Sequence, residues 1–244
     1  MNTFLAEARQ TLVPRDEVKY GPLPPLLVAM TLVTGLVDAF SYLVLGHVFV
    51  ANMTGNVVFL AFALAGAPGF SILASLVALS AFVLGSFGGG LLGARLGQHR
   101  GHLLSVSATL QALFLTIAVV LAALSGNLVN AGYSYALIIV LGIAMGLQNA
   151  TARKLAVPDL TTTVLTLTIV GIAADSRLVG GSGSRAGRRL ISAGAMFVGA
   201  LVGSMLIFHV AIVSPLVIAL IVIVIIAGTT RLLSRTDPEW VRAS

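Results

Sequence analysis

Apolar runs follow one another along almost the whole chain, from about residue 24 to about residue 232, and only short breaks separate them. The runs cover 24–45, 48–66, 70–96, 103–125, 133–151, 160–174, 190–209 and 211–232. The breaks carry turn and helix-stop residues: Gly46-His47, Gly66-Ala67-Pro68-Gly69, Gly97 to Gly101, Ser125-Gly126-Asn127, Pro158-Asp159, a basic linker and Ser214-Pro215. Most runs are long enough for about 20 residues of helix, which at about 1.5 Å per residue crosses a hydrocarbon core of about 30 Å. They do not alternate apolar with polar positions as barrel strands would. The pattern therefore predicts an all-α, polytopic helical membrane protein.

The two shortest and most polar runs, 48–66 and 160–174, change the count. If all eight runs cross from a cytoplasmic N-terminus, Arg95, Arg100, Arg153 and Lys154 fall on the outer side, against the positive-inside tendency. If those two runs enter and leave by the same face, all 14 lysines and arginines lie on the cytoplasmic side, and the outer loops GHV, SGNLVNAG and HVAIVSP carry none. Six full spans plus two re-entrant or broken segments is the preferred topology, with eight spans as the alternative.

The second half echoes the first. Gly35-Leu36-Val37-Asp38-Ala39 matches Gly146-Leu147-Gln148-Asn149-Ala150, and Met53-Thr54-Gly55-Asn56-Val57-Val58 can be laid on Leu160-Thr161-Thr162-Thr163-Val164-Leu165. Phe82-Val83-Leu84-Gly85 lies opposite Phe197-Val198-Gly199-Ala200. Three matches in one order indicate an internal duplication, with copies at about 24–125 and 133–232. Three crossings per copy, an odd number, place the copies in opposite orientation, an architecture common among transporters. Eight spans would give parallel copies.

Composition agrees with this class. Hydrophobic residues make up 58% of the 244 and charged residues 9%, with a mean hydropathy of +1.05, too little polar surface for a water-soluble globule. The net charge of +6 lies between apolar runs, where topology explains it better than nucleic-acid binding. Residues 1–22 read as a cytoplasmic tail with no cleavable signal, 23–233 as one transmembrane domain and 234–244 as a solvated tail with Trp240 as an interface anchor. Cysteine is absent, which excludes disulfides, thiolate metal sites and a cysteine nucleophile.

A few polar residues stand where lipid or packed helix is expected. Asp38 lies deep in the first span, where a carboxylate costs about 2.5–3.5 kcal/mol on insertion scales, so it should face protein or water and have a partner. Asn52, Asn56 and Gln148 are candidate partners, and Asp38 is the candidate protonatable or cation-binding group. Asn52, Thr54 and Asn56 precede VVFLAFALAG, and Asp159, Thr161, Thr162 and Thr163 precede VLTLTIVGIA, as N-caps would. A helix that begins inside the membrane turns its free amides and partial positive charge inward, where they could orient a solute. Capping alone is the plainer alternative. Gln148 and Asn149 stand opposite Val37 and Asp38, so only one copy keeps the acid.

Other features point to packing. Gly85, Gly89 and Gly93, and again Ala195, Gly199 and Gly203, form small-residue strips that let helices approach closely and serve self-association equally well. GGSGSRAGRR lacks the Gly-Lys-Ser/Thr ending of a phosphate loop and reads as a flexible basic linker. The histidines show no ligand spacing, and no His-Glu-x-x-His helix or Gly-x-Ser-x-Gly elbow is present, so an enzyme is disfavoured and no cofactor is expected.

The stretch GLVDAFSYLVLGHVFVANMTGNVVFLAFALAG, with GLQNATARKLAVPDLTTTVLT about a hundred residues later, resembles the YoaK-like family of uncharacterised bacterial multi-pass membrane proteins. The resemblance covers about residues 24–232 and implies an inner-membrane helical bundle of about six spans. It implies no substrate and no catalytic residues. The reading is a small transporter or channel-like permease for a small polar or ionic solute. Its pathway would use Asp38, Asn52, Thr54, Asn56, Gln148, Asn149, Thr161, Thr162 and Thr163, with the bilayer and the solute as partners and a homo-oligomer permitted. The alternative is a non-transporting scaffold or partner-binding protein whose polar residues only knit the bundle.

Overall fold

The computed structural model describes residues 11, 19–126, 130–158, 160, 170, 186–236 and 238–242. Seven helices are described: α1 Leu23–Val44, α2 Met53–Leu64, α3 Ile72–Leu96, α4 Arg100–Ser125, α5 Ala131–Leu155, α6 Ala186–His209 and α7 Ser214–Leu233, with a 3-10 turn at Glu239–Val241. All but α2 are long and apolar enough to span a membrane, giving six crossings. α4 begins three residues before the apolar run and α5 runs on through Arg153 and Lys154, because charged side chains are tolerated at a helix end at the membrane surface. The starts are fixed locally. Ser71 Oγ accepts from the Ala74 amide (3.2 Å) and Asn130 Oδ1 from the Tyr133 amide (3.1 Å), satisfying first-turn donors of α3 and α5.

α1 and α5 form the centre, with 67% and 61% of their spanning windows buried against 17–33% for the other four. α6 packs on α1, α3 packs on α5, and α4 packs on α7. Glycine sets the two closest crossings. A Cβ at Gly35 would strike the Met196 carbonyl and the Ala200 amide, and one at Gly199 the Leu32 carbonyl. A Cβ at Gly146 would strike the Phe82 carbonyl and the Ser86 amide, and one at Gly85 the Ile143 carbonyl. Leu32, Gly35 and Leu36 of α1 therefore stand where Ile143, Gly146 and Leu147 stand in α5, and Phe82, Gly85 and Gly89 where Met196, Gly199 and Gly203 stand in α6. The duplication is a structural fact.

Its register in α6 differs by one residue from the sequence match. Phe82 is equivalent to Met196, not Phe197, and Gly85 to Gly199, not Ala200, so the strip Gly85-Gly89 corresponds to Gly199-Gly203. Gly and Ala are too alike and too common here for sequence to choose between adjacent registers, whereas backbone contact leaves no choice.

The copies are inverted. Arg100 Nη1 donates to Lys19 O (3.3 Å), Gly93 faces Lys154, Gly101 faces Ser234, and Arg188 Nη1 donates to Pro158 O (3.4 Å). One end of the bundle thus gathers the start of α1, the end of α3, the starts of α4 and α6, and the ends of α5 and α7. α1 leaves this end and its counterpart α5 arrives at it. Lys19, Arg95, Arg100, Arg153, Lys154, Arg188, Arg189, Arg231, Arg235 and Arg242 all lie at this basic end, and the far end carries no Lys or Arg among the described residues.

α2 is re-entrant. After α1 ends at Val44 the chain turns back along its own span, so that the Val50 and Ala51 amides reach Asp38, six residues or about 9 Å below the helix end. α2 then climbs to the far end again, where His47 Nδ1 lies 3.1 Å from Gly69 O and an aromatic cluster of Tyr42, Phe49, Phe59, Phe62 and Phe70 closes over it. The other short run, 160–174, lies outside the described residues apart from Leu160 and Val170.

Trp240 departs from its expected role. It is 4% exposed and packs against Gly21, whose φ of +44° brings the chain under the indole, so Trp240 seals the base of α1 instead of anchoring in the interface. Because the chain has no cysteine, topology is directly testable. Ala65→Cys, in the turn after α2, and Lys19→Cys, ahead of α1, are expected to react with an impermeant maleimide from opposite sides of the membrane. Labelling of both from one side would mean that α2 crosses.

Candidate functional site

Asp38 is 4% exposed and sits on the face of α1 turned towards the re-entrant segment. Its Oδ1 accepts from the amides of Val50 (3.3 Å) and Ala51 (3.0 Å), two donors that precede α2 and have no partner within that helix. The carboxylate thus pins the segment just ahead of the helix, while Asn52, the expected cap, makes no side-chain cap bond. Expected partners Asn52, Asn56 and Gln148 are replaced by backbone donors. Oδ2 of Asp38 is buried and has no hydrogen-bond partner among the described residues.

One turn below Asp38 on α1, Thr34 is fully buried and begins a polar file. Gln148 Nε2 of α5 donates to Thr34 Oγ1 (2.9 Å) and to Met30 O (3.2 Å). Gln111 Nε2 of α4 donates to Gln148 Oε1 (2.6 Å), while Gln111 Oε1 is buried without a partner among the described residues. One turn further towards the basic end, Ser107 of α4 and Thr151 of α5 share a hydrogen bond of 2.6 Å. Three helices therefore carry a stepped polar seam in the bundle interior, in which Thr34, Gln148 and Gln111 are hydrogen-bonded in a chain while Asp38 and the Ser107–Thr151 pair each stand about one turn away. Buried amides and hydroxyls in hydrocarbon surroundings persist only when bonded, so the two unpaired oxygens are the chemically exposed points of the seam.

The remaining candidates fall elsewhere. Asn56 is buried and closes on Phe49, accepting from its amide (2.9 Å) and donating to its carbonyl (2.6 Å), which fixes the bend before α2. Thr54 is exposed on the first turn of α2. Asn149 Nδ2 donates to Met145 O (2.9 Å) of its own helix. Thr161, Thr162 and Thr163, like Asp159, lie outside the described residues. Of the expected set the structure brings Asp38 and Gln148 onto one seam and sets Asn56 apart from it. Gln111, Thr34, Ser107 and Thr151 were not among the expected residues. Gln111 had a visible signal, a lone amide within the apolar run LLSVSATLQALFLTIAVV, whereas hydroxyls in spans are too common to single out.

Residues 26–229 match the model of a family described as "Protein of unknown function (DUF1275)". The chain belongs to this family. Within it, the chain is 37% identical over 152 residues to "UPF0700 transmembrane protein YoaK" of Bacillus subtilis (strain 168), covering 62% of this chain and 65% of that protein. The matched stretch thus spans just under two thirds of that relative's length. No solved structure matches. Family membership places the chain among multi-pass membrane proteins, in agreement with the six crossings, and assigns no activity to the seam.

Proposed function

We propose that this protein is a small permease that moves a small polar or ionic solute along the seam from Asp38 to the Ser107–Thr151 pair. The observation that carries the reading is Asp38 itself. One oxygen is held by the amides of the segment that leads into the re-entrant helix, and the other is buried without a hydrogen-bond partner among the described residues, one turn from a file of amides and hydroxyls. An inverted repeat with a helix that begins within the membrane is the arrangement many transporters use to build such a site. Asp38 is the group that takes up a proton or cation, and the amide oxygens of Gln148 and Gln111 are the next polar groups on the route, where a cation could be ligated. By the positive-inside tendency the basic end is cytoplasmic and the far end, where α2 enters, is outside a bacterial inner membrane. The reading is non-enzymatic.

A scaffold reading is favoured by one observation, the closure of Asn56 on the Phe49 backbone, which uses a polar residue purely for local structure. Reconstituted vesicles separate the two. With a pH-sensitive dye and then Na+- and K+-sensitive dyes inside, the wild-type chain is expected to conduct at least one of these ions. Asp38→Asn and Gln148→Leu are each expected to lower the rate about tenfold or more, as loss of a group worth ~1.4 kcal/mol in the rate-limiting state would. No conduction of these ions by the wild-type chain would leave the scaffold reading standing, and wild-type rates in both folded variants would take the pathway off the seam.

A further inference from the structure

At the basic end a groove of about 600 Å³ opens between α4 and α7. Its mouth holds Arg231, in the last turn of α7, and Arg235, in the turn that follows, four residues apart and so on one side of the chain. Opposite them α4 contributes His102 and the hydroxyl of Ser105. Further up α4 the lining becomes apolar, with Val106 at 39% and Leu110 at 36% exposure, and Leu110 lies ten residues, about 15 Å, into the helix. The groove is thus cationic at headgroup depth and hydrocarbon-like where acyl chains run. The volume is within the usual range of small-molecule sites.

We infer that this groove binds one anionic phospholipid, its phosphodiester between Arg231, Arg235 and His102 and one acyl chain along Val106 and Leu110. Charge complementarity supplies the choice of lipid. Two guanidinium groups present several donors to phosphate oxygens, and they do so where a membrane displays phosphate. The duplication sharpens the point. α4 and α7 are each other's counterparts, so their contact is repeated at the far end, yet there neither helix carries a basic residue.

The test uses the full chain purified in detergent, with native mass spectrometry and thermal unfolding as readouts. Dioleoylphosphatidylglycerol is expected to remain bound one per chain and to raise the unfolding temperature, and dioleoylphosphatidylcholine to do neither. The double variant R231Q/R235Q is expected to retain phosphatidylglycerol about 10- to 30-fold less well. Leu110→Trp, which fills the groove and keeps every charge, is expected to lower retention too. Arg95→Gln/Arg153→Gln removes the same charge elsewhere at the basic end and is expected to keep wild-type retention. Equal retention of the two lipids, or unchanged retention in R231Q/R235Q and Leu110→Trp, would overturn the assignment. Protection by inorganic phosphate equal to that by the lipid would overturn the lipid as the ligand.

Discussion

Gly146→Val is expected to lower the unfolding temperature of the protein markedly. The residue sits where α5 crosses α3, and its hypothetical Cβ would meet the Phe82 carbonyl and the Ser86 amide, both backbone. A flexible side chain could swing aside; backbone can yield only by moving a whole helix. Between membrane helices there is no hydrophobic driving force to restore the contact, because lipid tails are as apolar as leucine, so close packing supplies most of the association. Overpacking commonly costs ~1–3 kcal/mol, and here the upper end applies. For a chain of this size that corresponds to a fall of roughly 6–12 °C in unfolding temperature. The inverted duplication adds a second expectation: Gly35→Val, at the equivalent α1–α6 crossing, should be as damaging. Gly90→Ala is the control, since nothing lies within 4 Å of its Cβ position and α3 is helical there. It should be neutral or stabilising by up to ~1 kcal/mol. Size-exclusion of detergent extracts after a heat step reads all three. A Gly146→Val protein that melts within about 2 °C of wild type would sink the crossing argument.

The glycine result shows what kind of information the sequence held. Span length, apolar composition and the one-sided placement of Arg and Lys are properties of single segments, and from them six crossings and one re-entrant helix could be read correctly. The inverted repeat was legible because GLVDA and GLQNA keep a glycine that each copy needs at the same crossing. The register in α6 was not, since Gly199 and Ala200 differ by one methyl group that only a neighbouring carbonyl distinguishes. Asp38 stood out by its cost in hydrocarbon, but its partners did not, because backbone amides carry no sequence signature. Asn52 has the right chemistry for an N-cap and the right position, yet its side chain makes no cap bond, and a carboxylate from another helix holds the residues just before it. Gln111 was overlooked among apolar neighbours, although its link to Gln148 joins α4 to the seam. Trp240 was misplaced for a similar reason: an indole near a chain end suits an interface or a core equally, and Gly21 decides between them.

Asp38→Leu is expected to release the segment before α2 while Asp38→Asn holds it. In the native chain Oδ1 satisfies two amides that lie about 9 Å inside the far end of the bundle. Leucine is close in size to aspartate but accepts nothing, so Val50 and Ala51 would each lose a hydrogen bond in surroundings without water. Each unsatisfied buried donor costs ~1–3 kcal/mol, and lipid surroundings push the figure upward. The stacked rings of Tyr42, Phe49 and Phe59 still hold the segment from the far side, so local opening is expected instead of loss of the fold. Hydrogen exchange in detergent, followed by mass spectrometry of peptides spanning residues 45–58, should then quicken by a factor of ten or more in Asp38→Leu. Asparagine keeps an acceptor oxygen in place of Oδ1, and its exchange should stay within a few-fold of wild type. Unchanged exchange in Asp38→Leu would mean that the rings, and not the carboxylate, fix the re-entrant helix. Combined with flux, the pair separates the work of the two oxygens. A variant that keeps the segment closed but loses conduction assigns anchoring to Oδ1 and the mobile proton or cation to Oδ2, whereas loss of both together in Asp38→Asn would tie conduction to the position of α2 and not to the charge.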